Sequence, residues 1–323
     1  MATISENLQT IIDIKDDIKS SIIAKGVPVA DTDGFATYPS KIDAIQSGGG
    51  GAVKIVDGTR FQSSTFTEWP GYDVSDMTNT SFLCYRCGEL TTANNINVEN
   101  TTTCSYMFAY ALSLETVNGL KLGSGCTSTA SMFYDTPKLK QVELFDTSGV
   151  MSMEDMFNNN NNFNHTLLHL PTFNTTNVHT FYGWCRANYK LMEFPPIDTS
   201  KGRTFNYMAS DCVAMTTVPE LNMQSATNNG LQNMFYNCRN ITTIGGFTNL
   251  GFGFSSSGEL NLSASTALTV ESIQNIGNTI YDLNLKSDFT GIGTIKIATA
   301  VYNQLSPEDI ALFTNKKWVL TAV

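Results

Sequence analysis

The sequence predicts an α/β solenoid, with short parallel strands along one side, helical turns along the other and a cap at the C-terminal end. The prediction rests on a segment of about 24 residues that recurs seven times between Asp73 and Ile244. Its most regular part is an eight-residue box, which reads MFYNCRNI from Met234. The first residues of successive boxes are 24, 25, 24, 28, 24 and 26 positions apart. Such regularity is typical of repeats that bury their apolar faces only against their neighbours.

Each repeat carries a second apolar signal behind its box. Most boxes end on an apolar residue that is followed three positions later by another, as in Leu114/Val117, Leu139/Val142, Leu167/Leu170, Leu191/Phe194, Met215/Val218 and Ile241/Ile244. The period near 25 residues falls in the range of leucine-rich repeats. We therefore expect the segment after the box to form a strand of one parallel sheet, and the box to form the opposing helical turn.

The N-terminal part predicts an attachment module. Residues 3–25 have heptad-like apolar spacing, which predicts an amphipathic helix with an oligomerisation seam at Ile4, Leu8, Ile11, Ile18 and Ile22. The alternative is that this helix folds back on its own chain. A run of four glycines, Gly48–Gly51, marks the clearest boundary in the chain. We divide the sequence into a helical module (1–47), a hinge with a cap strand (48–72), the repeats (73–250) and a C-terminal cap (251–323).

The two segments that flank the repeats predict terminal caps. Apolar and polar residues alternate around Val53 and Ile55, which indicates a strand ahead of the first repeat. After the last repeat, Thr269 is placed to cap a helix, and SPED at Ser306–Asp309 predicts the start of another. The helix that begins after Thr269 should bury Ile273, Ile276 and Ile280. Apolar residues also predict four strands, at Leu260/Leu262, at Leu283/Leu285, at Ile295/Ile297 and from Trp318.

Composition and charge exclude several classes of protein. The formal net charge is −10 and no basic run exists, so the electrostatic footprint of nucleic-acid binding is missing. No apolar run reaches the 18 residues or so that a membrane span requires. Only 15% of residues are charged, against about 25% usually, so the surface is polar but mostly neutral. The first residues lack the basic and apolar regions of a secretory signal, which predicts a cytoplasmic origin without ordinary secretion.

Residues that could carry chemistry have structural interpretations. Cys84 and Cys87 form a CxxC, but in the aligned repeats both occupy inward-facing positions of the box. The three histidines, His165, His169 and His179, fall in one repeat without a carboxylate between them, so we interpret them as solvated. No nucleophile motif or phosphate-binding glycine pattern is present. The sequence predicts a protein that is not an enzyme and that uses neither metal nor cofactor.

Two features are candidates for ligand binding. The run Asn158–Asn162 is an insertion relative to the neighbouring boxes, and Asn158, Asn160 and Asn162 could decorate a binding face. A tolerated insertion without a role is the alternative. The third box position holds Tyr85, Tyr134 and Tyr236, an aromatic column that could bind sugars or could serve packing alone.

The box and the DTSGV stretch at Asp146–Val150 resemble those of BspA-type leucine-rich repeats over roughly residues 73–250. The segment KGVPVADTDGFATYPSKIDAI resembles the leader of phage fibre and tail proteins, and the C-terminal LSPEDIALFTNKKWVL resembles closing segments of phage and gut-bacterial proteins. The resemblance implies adhesion or receptor binding. It also implies a place in a virion, as a tail or head fibre.

We therefore expect a phage virion protein, made in the host cytoplasm and released by lysis, whose repeats adhere to a host or mucosal glycan or protein. Its expected partners are further copies of itself, with a trimer favoured, and another virion protein bound through residues 1–47. A bacterial cell-surface adhesin of the same repeat family is the alternative, and the lack of an export signal favours the phage protein. A purely architectural virion protein is a third possibility.

Overall fold

The computed structural model describes residues 52–159 and 167–323, together with Lys15, Ile18 and Lys19. The repeats contain short strands, which are β1 (Thr92–Asn94), β2 (Asn97–Val98), β3 (Thr116–Asn118), β4 (Lys121–Leu122), β5 (Gln141–Val142), β6 (Thr217–Val218), β7 (Leu221–Asn222), β8 (Thr243–Ile244) and β9 (Phe247–Thr248). The closing region contains β10 (Gly258–Asn261), α1 (Val270–Thr279), a 3₁₀ helix (Leu283–Leu285), β11 (Gly293–Ile297), α2 (Thr299–Tyr302), α3 (Pro307–Thr314) and β12 (Trp318–Ala322).

The predicted α/β solenoid with one continuous parallel sheet is wrong. The strands of the repeats are two or three residues long and form the small separate sheets β1-β3-β5, β2-β4, β6-β8 and β7-β9. Pairing is parallel and joins residues about one repeat apart, such as Thr92 with Thr116. The strands are short because left-handed residues interrupt the extended backbone: Asn95 (φ 56°) separates β1 from β2, and Gly119 (φ 62°) separates β3 from β4.

The predicted helical turn of the box is also wrong. Around Met107, the residues Tyr106 and Tyr110 have φ of 59° and 60°, values that a right-handed helix does not contain. The backbone N–H groups of Tyr106, Phe108 and Tyr110 donate to carbonyl oxygens of the next repeat, over 2.9, 2.9 and 2.8 Å. An α-helix would use these donors within its own segment. The box is therefore a series of tight turns whose backbone bonds to its neighbour.

The core lies inside these turns, and the apolar spacing of the repeats predicted it correctly. Both members of every predicted pair from Leu114/Val117 to Ile241/Ile244 are buried. The second box position contributes phenylalanines that contact one another between repeats. The ring centroids of Phe108 and Phe133 are 5.6 Å apart, and those of Phe133 and Phe157 are 5.2 Å apart. Burying one such side chain stabilises the fold by about 1.5–3 kcal/mol.

The closing region contains the longest regular elements of the described residues. The strands β10, β11 and β12 form a parallel sheet, in which Leu260 pairs with Ile295 and Ile295 with Leu320. The predicted caps are present: the Thr269 side chain accepts a hydrogen bond from the backbone of α1, and Ser306 and Asp309 form a capping box at the start of α3. The helix α1 buries Ile273, Ile276 and its C-cap residue Ile280, as the spacing predicted.

Two predicted strands are absent from the described residues. Leu283 and Leu285 lie in the 3₁₀ helix, because the Asp282 side chain accepts a hydrogen bond from the backbone of Asn284 and starts a turn. At Val53 and Ile55 the backbone makes only an isolated bridge, between Lys54 and Asp73.

The predicted oligomerising helix falls almost entirely on residues that the structure does not describe. Of residues 3–25 the structure describes only Lys15, Ile18 and Lys19, which are helical and half-buried. Ile4, Leu8, Ile11 and Ile22 of the predicted seam lie outside the described residues, so the seam stays a prediction. Across the part of the chain that the structure describes, no helix is both long enough and apolar enough to cross a bilayer.

Candidate recognition surface

The tight turns of the first three boxes place aromatic side chains on one outer face. Phe82, Tyr85, Tyr106, Tyr110 and Tyr134 form a continuous row of ring contacts, which we call the aromatic strip. Phe82 and Tyr106 are each 36% exposed, and the three other rings are half-buried. This partly exposed aromatic row is the candidate recognition surface of the described residues.

The ring geometry of the aromatic strip is regular. Phe82 and Tyr106 are stacked, with centroids 4.9 Å apart and an interplanar angle of 2°. Tyr85 meets Tyr110 edge to face at 5.5 Å, and Tyr110 lies 5.4 Å from Tyr134. Each such pair contributes about 0.5–1.5 kcal/mol beyond the area that it buries. Tyr110 therefore links Tyr134 to the rest of the strip.

One cation accompanies the strip. The guanidinium carbon of Arg86 lies 5.2 Å from the ring centroid of Tyr85 and 5.6 Å from that of Tyr110. At an exposed site, such a cation–π contact contributes about 0.5–1 kcal/mol. Burial raises the pKa of the Tyr110 hydroxyl above its ordinary value, with the neighbouring Tyr134 as the next cause, so this hydroxyl is neutral at physiological pH. The strip presents neutral rings, hydroxyl groups and one positive charge.

The backbone beneath the strip is fixed by hydrogen bonds between repeats. The N–H groups of Phe82, Arg86 and Tyr106 donate to carbonyl oxygens of the following repeat, over 3.0, 2.8 and 2.9 Å. All three residues have positive φ, near 60°. The left-handed conformation is uncommon for such large side chains, and here it directs both the backbone bonds and the outward rings.

The predicted tyrosine column is divided by the structure. Tyr85 and Tyr134 both belong to the aromatic strip, although Tyr110 lies between them. Tyr236 is 57% exposed and lies outside the strip. The alignment of boxes overlooked Tyr110 because the second box, MFAYALSL, holds its tyrosine one position later than the others. It overlooked Phe82 and Tyr106 because each comes just before its box, a position that the alignment did not compare.

The predicted asparagine site begins inside the protein. Asn158 is 2% exposed, and its side-chain amide donates to the Asp155 carboxylate over 2.6 Å. The neighbouring Asn159 is also buried and donates to the side-chain oxygen of Asn188 over 2.6 Å. Asn160 and Asn162 lie outside the described residues. The start of the insertion is thus an internal amide network, and the role of the remainder stays a prediction.

A second cation–aromatic contact lies beside this network. The guanidinium carbon of Arg186 is 4.7 Å from the ring centroid of Tyr207, and the rings of Tyr207 and Tyr182 are 5.8 Å apart. Burial raises the pKa of the Asp155 carboxyl above its ordinary value, while the hydrogen bond from Asn158 and the charge of Arg186 oppose the shift. A carboxylate held partly out of water on an outer turn is costly for folding.

The cysteines lie in the core, as the alignment of repeats predicted. All seven are free thiols with buried side chains. Burial raises the pKa of the thiols of Cys84, Cys212 and Cys238 well above the ordinary value. The sulfur atoms of Cys104 and Cys126 lie 3.7 Å apart. Such thiols behave as small apolar side chains that fill space between repeats.

The two described histidines are both exposed and lie apart from the strip. His169 Nδ1 lies 3.2 Å from a carboxylate oxygen of Glu193, in the neighbouring repeat. His165 lies outside the described residues, and His179 is exposed. Within 52–159 and 167–323, histidine, cysteine and acidic side chains form no group of three that could hold a metal ion.

Comparison with known families finds a match to part of the chain. Residues 127–246 match the model of a family described as "Mycoplasma protein of unknown function, DUF285", which belongs to the BspA-like repeat group. No curated protein and no solved structure matches the chain. The matched segment covers less than half of the 323 residues, and it lies within the predicted repeats. The resemblance of the repeats is therefore supported over this segment, at the level of the family alone.

Proposed function

We propose that this chain is a non-enzymatic adhesion protein of the BspA type that binds a host or mucosal receptor through the aromatic strip. The observation that carries the proposal is the row of ring contacts from Phe82 to Tyr134, with Arg86 beside it. Tyrosine and arginine supply much of the binding energy in protein recognition, because they combine large contact areas with polar tips.

The fixed backbone beneath the strip supports this proposal. Binding costs less when the contact residues are already held in place, since fewer rotamers and backbone angles must be ordered. The hydrogen bonds of Phe82, Arg86 and Tyr106 to the next repeat provide that order before any ligand arrives. Weak contacts can then add up to firm adhesion when several copies of the chain act together.

We place the protein in a phage virion, as a tail or head fibre in which residues 1–47 hold several copies together, with a trimer favoured. This setting rests on the resemblance of KGVPVADTDGFATYPSKIDAI to phage fibre leaders. The second setting is the surface of a bacterium, with the same repeats acting as an adhesin. Immunogold labelling distinguishes them, since a virion protein labels released particles and an adhesin labels the cell envelope.

Binding of the fluorescently labelled full-length chain to gut-bacterial cells and to a mucin-coated surface tests the adhesion. We expect the double variant Tyr85→Ala/Tyr110→Ala to bind at least about tenfold more weakly, because it removes both rings that contact Arg86. Tyr236→Ala is the matched control, since it removes an exposed tyrosine outside the strip. Equal thermal unfolding of the variants shows that the change is one of binding.

Two results would contradict the proposal. Equal binding by the strip variant and the unaltered chain would remove the aromatic strip as the recognition surface. Absence of binding to every cell and surface, in particles that still require the protein for assembly, would leave an architectural role.

A further inference from the structure

We propose that a polar cleft at the junction of the repeats and the closing region binds a neutral saccharide. This site shares no residue with the aromatic strip, so it adds a second ligand site to the proposed function. We call it the amide pocket. Its lining includes the side chains of Asn228, Asn229, Gln232, Asn233 and Asn261.

The amide pocket lies between two parts of the chain with different structure. One wall comes from residues 228–233, which lead into the last box at Met234. The other comes from β10 through Glu259 and Asn261. The cleft has a volume of about 360 Å³, within the usual range for small-molecule sites. Junctions between structural units are frequent places for such sites.

The donors and acceptors of the pocket suit hydroxyl groups. The Asn228 amide donates to the side-chain oxygen of Asn229 over 3.1 Å, and the Asn261 oxygen accepts from both the backbone and the hydroxyl of Ser263, over 3.0 and 2.7 Å. These bonds use the amide oxygens of Asn229 and Asn261. Within the described residues, no hydrogen bond engages the amide nitrogens of these two side chains or the side chain of Gln232. Such donors are complementary to the oxygen atoms of a sugar.

The charges of the pocket favour a neutral ligand. Among the lining residues only Glu259 has an acidic or basic side chain, and its carboxylate pairs with the Lys296 ammonium group at 2.8 Å. An anion would therefore meet a carboxylate, and a cation would compete with a lysine that is already in place. A divalent cation needs several oxygen ligands with more negative charge in total than a single carboxylate, already paired with a lysine, can supply.

Saturation-transfer difference NMR on the full-length chain tests the amide pocket. The probes are glucose, galactose, mannose, N-acetylglucosamine and lactose, with sialic acid and glucosamine as the charged comparisons. We expect at least one neutral sugar to give saturation transfer and to bind at least about tenfold more weakly to Asn229→Ala/Gln232→Ala, because that variant removes two side-chain NH₂ groups that donate no hydrogen bond within the described residues. Both positions are exposed, so the variant should fold.

Gln141→Ala is the matched control, since it removes an exposed glutamine from β5, far from the pocket in the sequence. The proposal is overturned if no neutral sugar binds, if only the charged sugars bind, or if the pocket variant binds as tightly as the control. Loss of sugar binding with intact cell adhesion would separate this pocket from the aromatic strip. If Tyr85→Ala/Tyr110→Ala loses cell adhesion but still binds the sugar, the proposed role of the amide pocket stands.

Discussion

The α-carbon of Gly149 lies against the carbonyl oxygen of Ser124, one repeat earlier in the chain. A Cβ atom at position 149 would approach that oxygen to under 3.0 Å, a distance that real Cβ atoms essentially never show. The obstacle is backbone, which cannot move aside as the end of a side chain can. Glycine is therefore required here by the spacing between neighbouring repeats, and its φ is not in the left-handed region.

Gly149→Ala is expected to destabilise the protein by about 1–3 kcal/mol, the usual cost of overpacking a close contact. Gly125 provides the control in the adjacent repeat, because a Cβ atom there would meet nothing within 4 Å. Gly125→Ala should change the free energy of unfolding little or raise it slightly. Urea unfolding of both variants measures the difference, and equal stability of the two would refute the close approach.

The sequence was a good guide to burial and a poor guide to backbone conformation. Apolar periodicity identified the core pairs such as Leu114 and Val117, because burial depends on side-chain chemistry that the sequence displays directly. The turns of the box depend on φ values, and residues such as Tyr106 and Tyr110 carry no local signal for a left-handed backbone. The N–H groups of these residues donate to carbonyl oxygens of the next repeat, so their conformation depends on contacts that exist only once the repeats are assembled.

The residues of the candidate surface were likewise predictable only in part. Tyr85 and Tyr134 were identifiable from their column, while Tyr110 became visible only once the turns had placed it between them. Asn158 was expected outside and is buried, because its amide reaches the Asp155 carboxylate. An asparagine-rich run reads as solvated from composition alone. A buried amide network needs partners from other repeats, such as Asn188, which composition does not reveal.

The carboxyl of Asp155 predicts a pH-dependent stability. Burial raises its folded-state pKa above that of the unfolded chain, about 3.9. Its stabilising contribution is therefore fully present below about pH 4, in the protonated form, and is lost as pH rises through the folded-state pKa. Asp155→Asn keeps an oxygen for the Asn158 donor without the charge, and asparagine tolerates the φ of 52°.

At pH 7 we expect Asp155→Asn to be more stable than the unaltered chain, by less than about 1 kcal/mol because solvent screens a partly exposed charge. Near pH 3 the two proteins should be equally stable. Thermal unfolding across this pH range is the measurement, with the exposed Asp288→Asn as control. A destabilised Asp155→Asn at pH 7 would show that the carboxylate is needed by Arg186 or another group.

The capping box of α3 predicts the opposite pH dependence. The Asp309 carboxylate accepts hydrogen bonds from the Gln274 side chain and the Ser306 backbone, both at 2.8 Å, and the Gln274 bond is the main cause of its lowered pKa. Its contribution is present above about pH 4 and is lost as pH falls through the folded-state pKa. Asp309→Asn should cost about 1 kcal/mol at pH 7 and less at pH 2.

Glu308→Gln is the control for the charge near the start of α3, since Glu308 is exposed in the same first turn. If the macrodipole of the helix were the main effect, both variants would lose similar stability. A loss confined to Asp309→Asn assigns it to the two hydrogen bonds. A cost for Asp309→Asn that stays the same down to pH 2 would contradict the role of its ionised form.

The buried cysteines predict a protein that is unreactive towards thiol reagents while folded. All seven thiols are free and buried, and burial raises the pKa of several of them, so little reactive thiolate is accessible. With Ellman's reagent we expect almost no fast reaction in buffer and seven equivalents in denaturant. Lys138→Cys, at an exposed position, is the positive control and should add one fast equivalent. Fast reaction of a native thiol would contradict this prediction and place that cysteine at the surface. Mass spectrometry should then check Cys87 and Cys126 first, because hydrogen bonds from neighbouring thiols lower their pKa values.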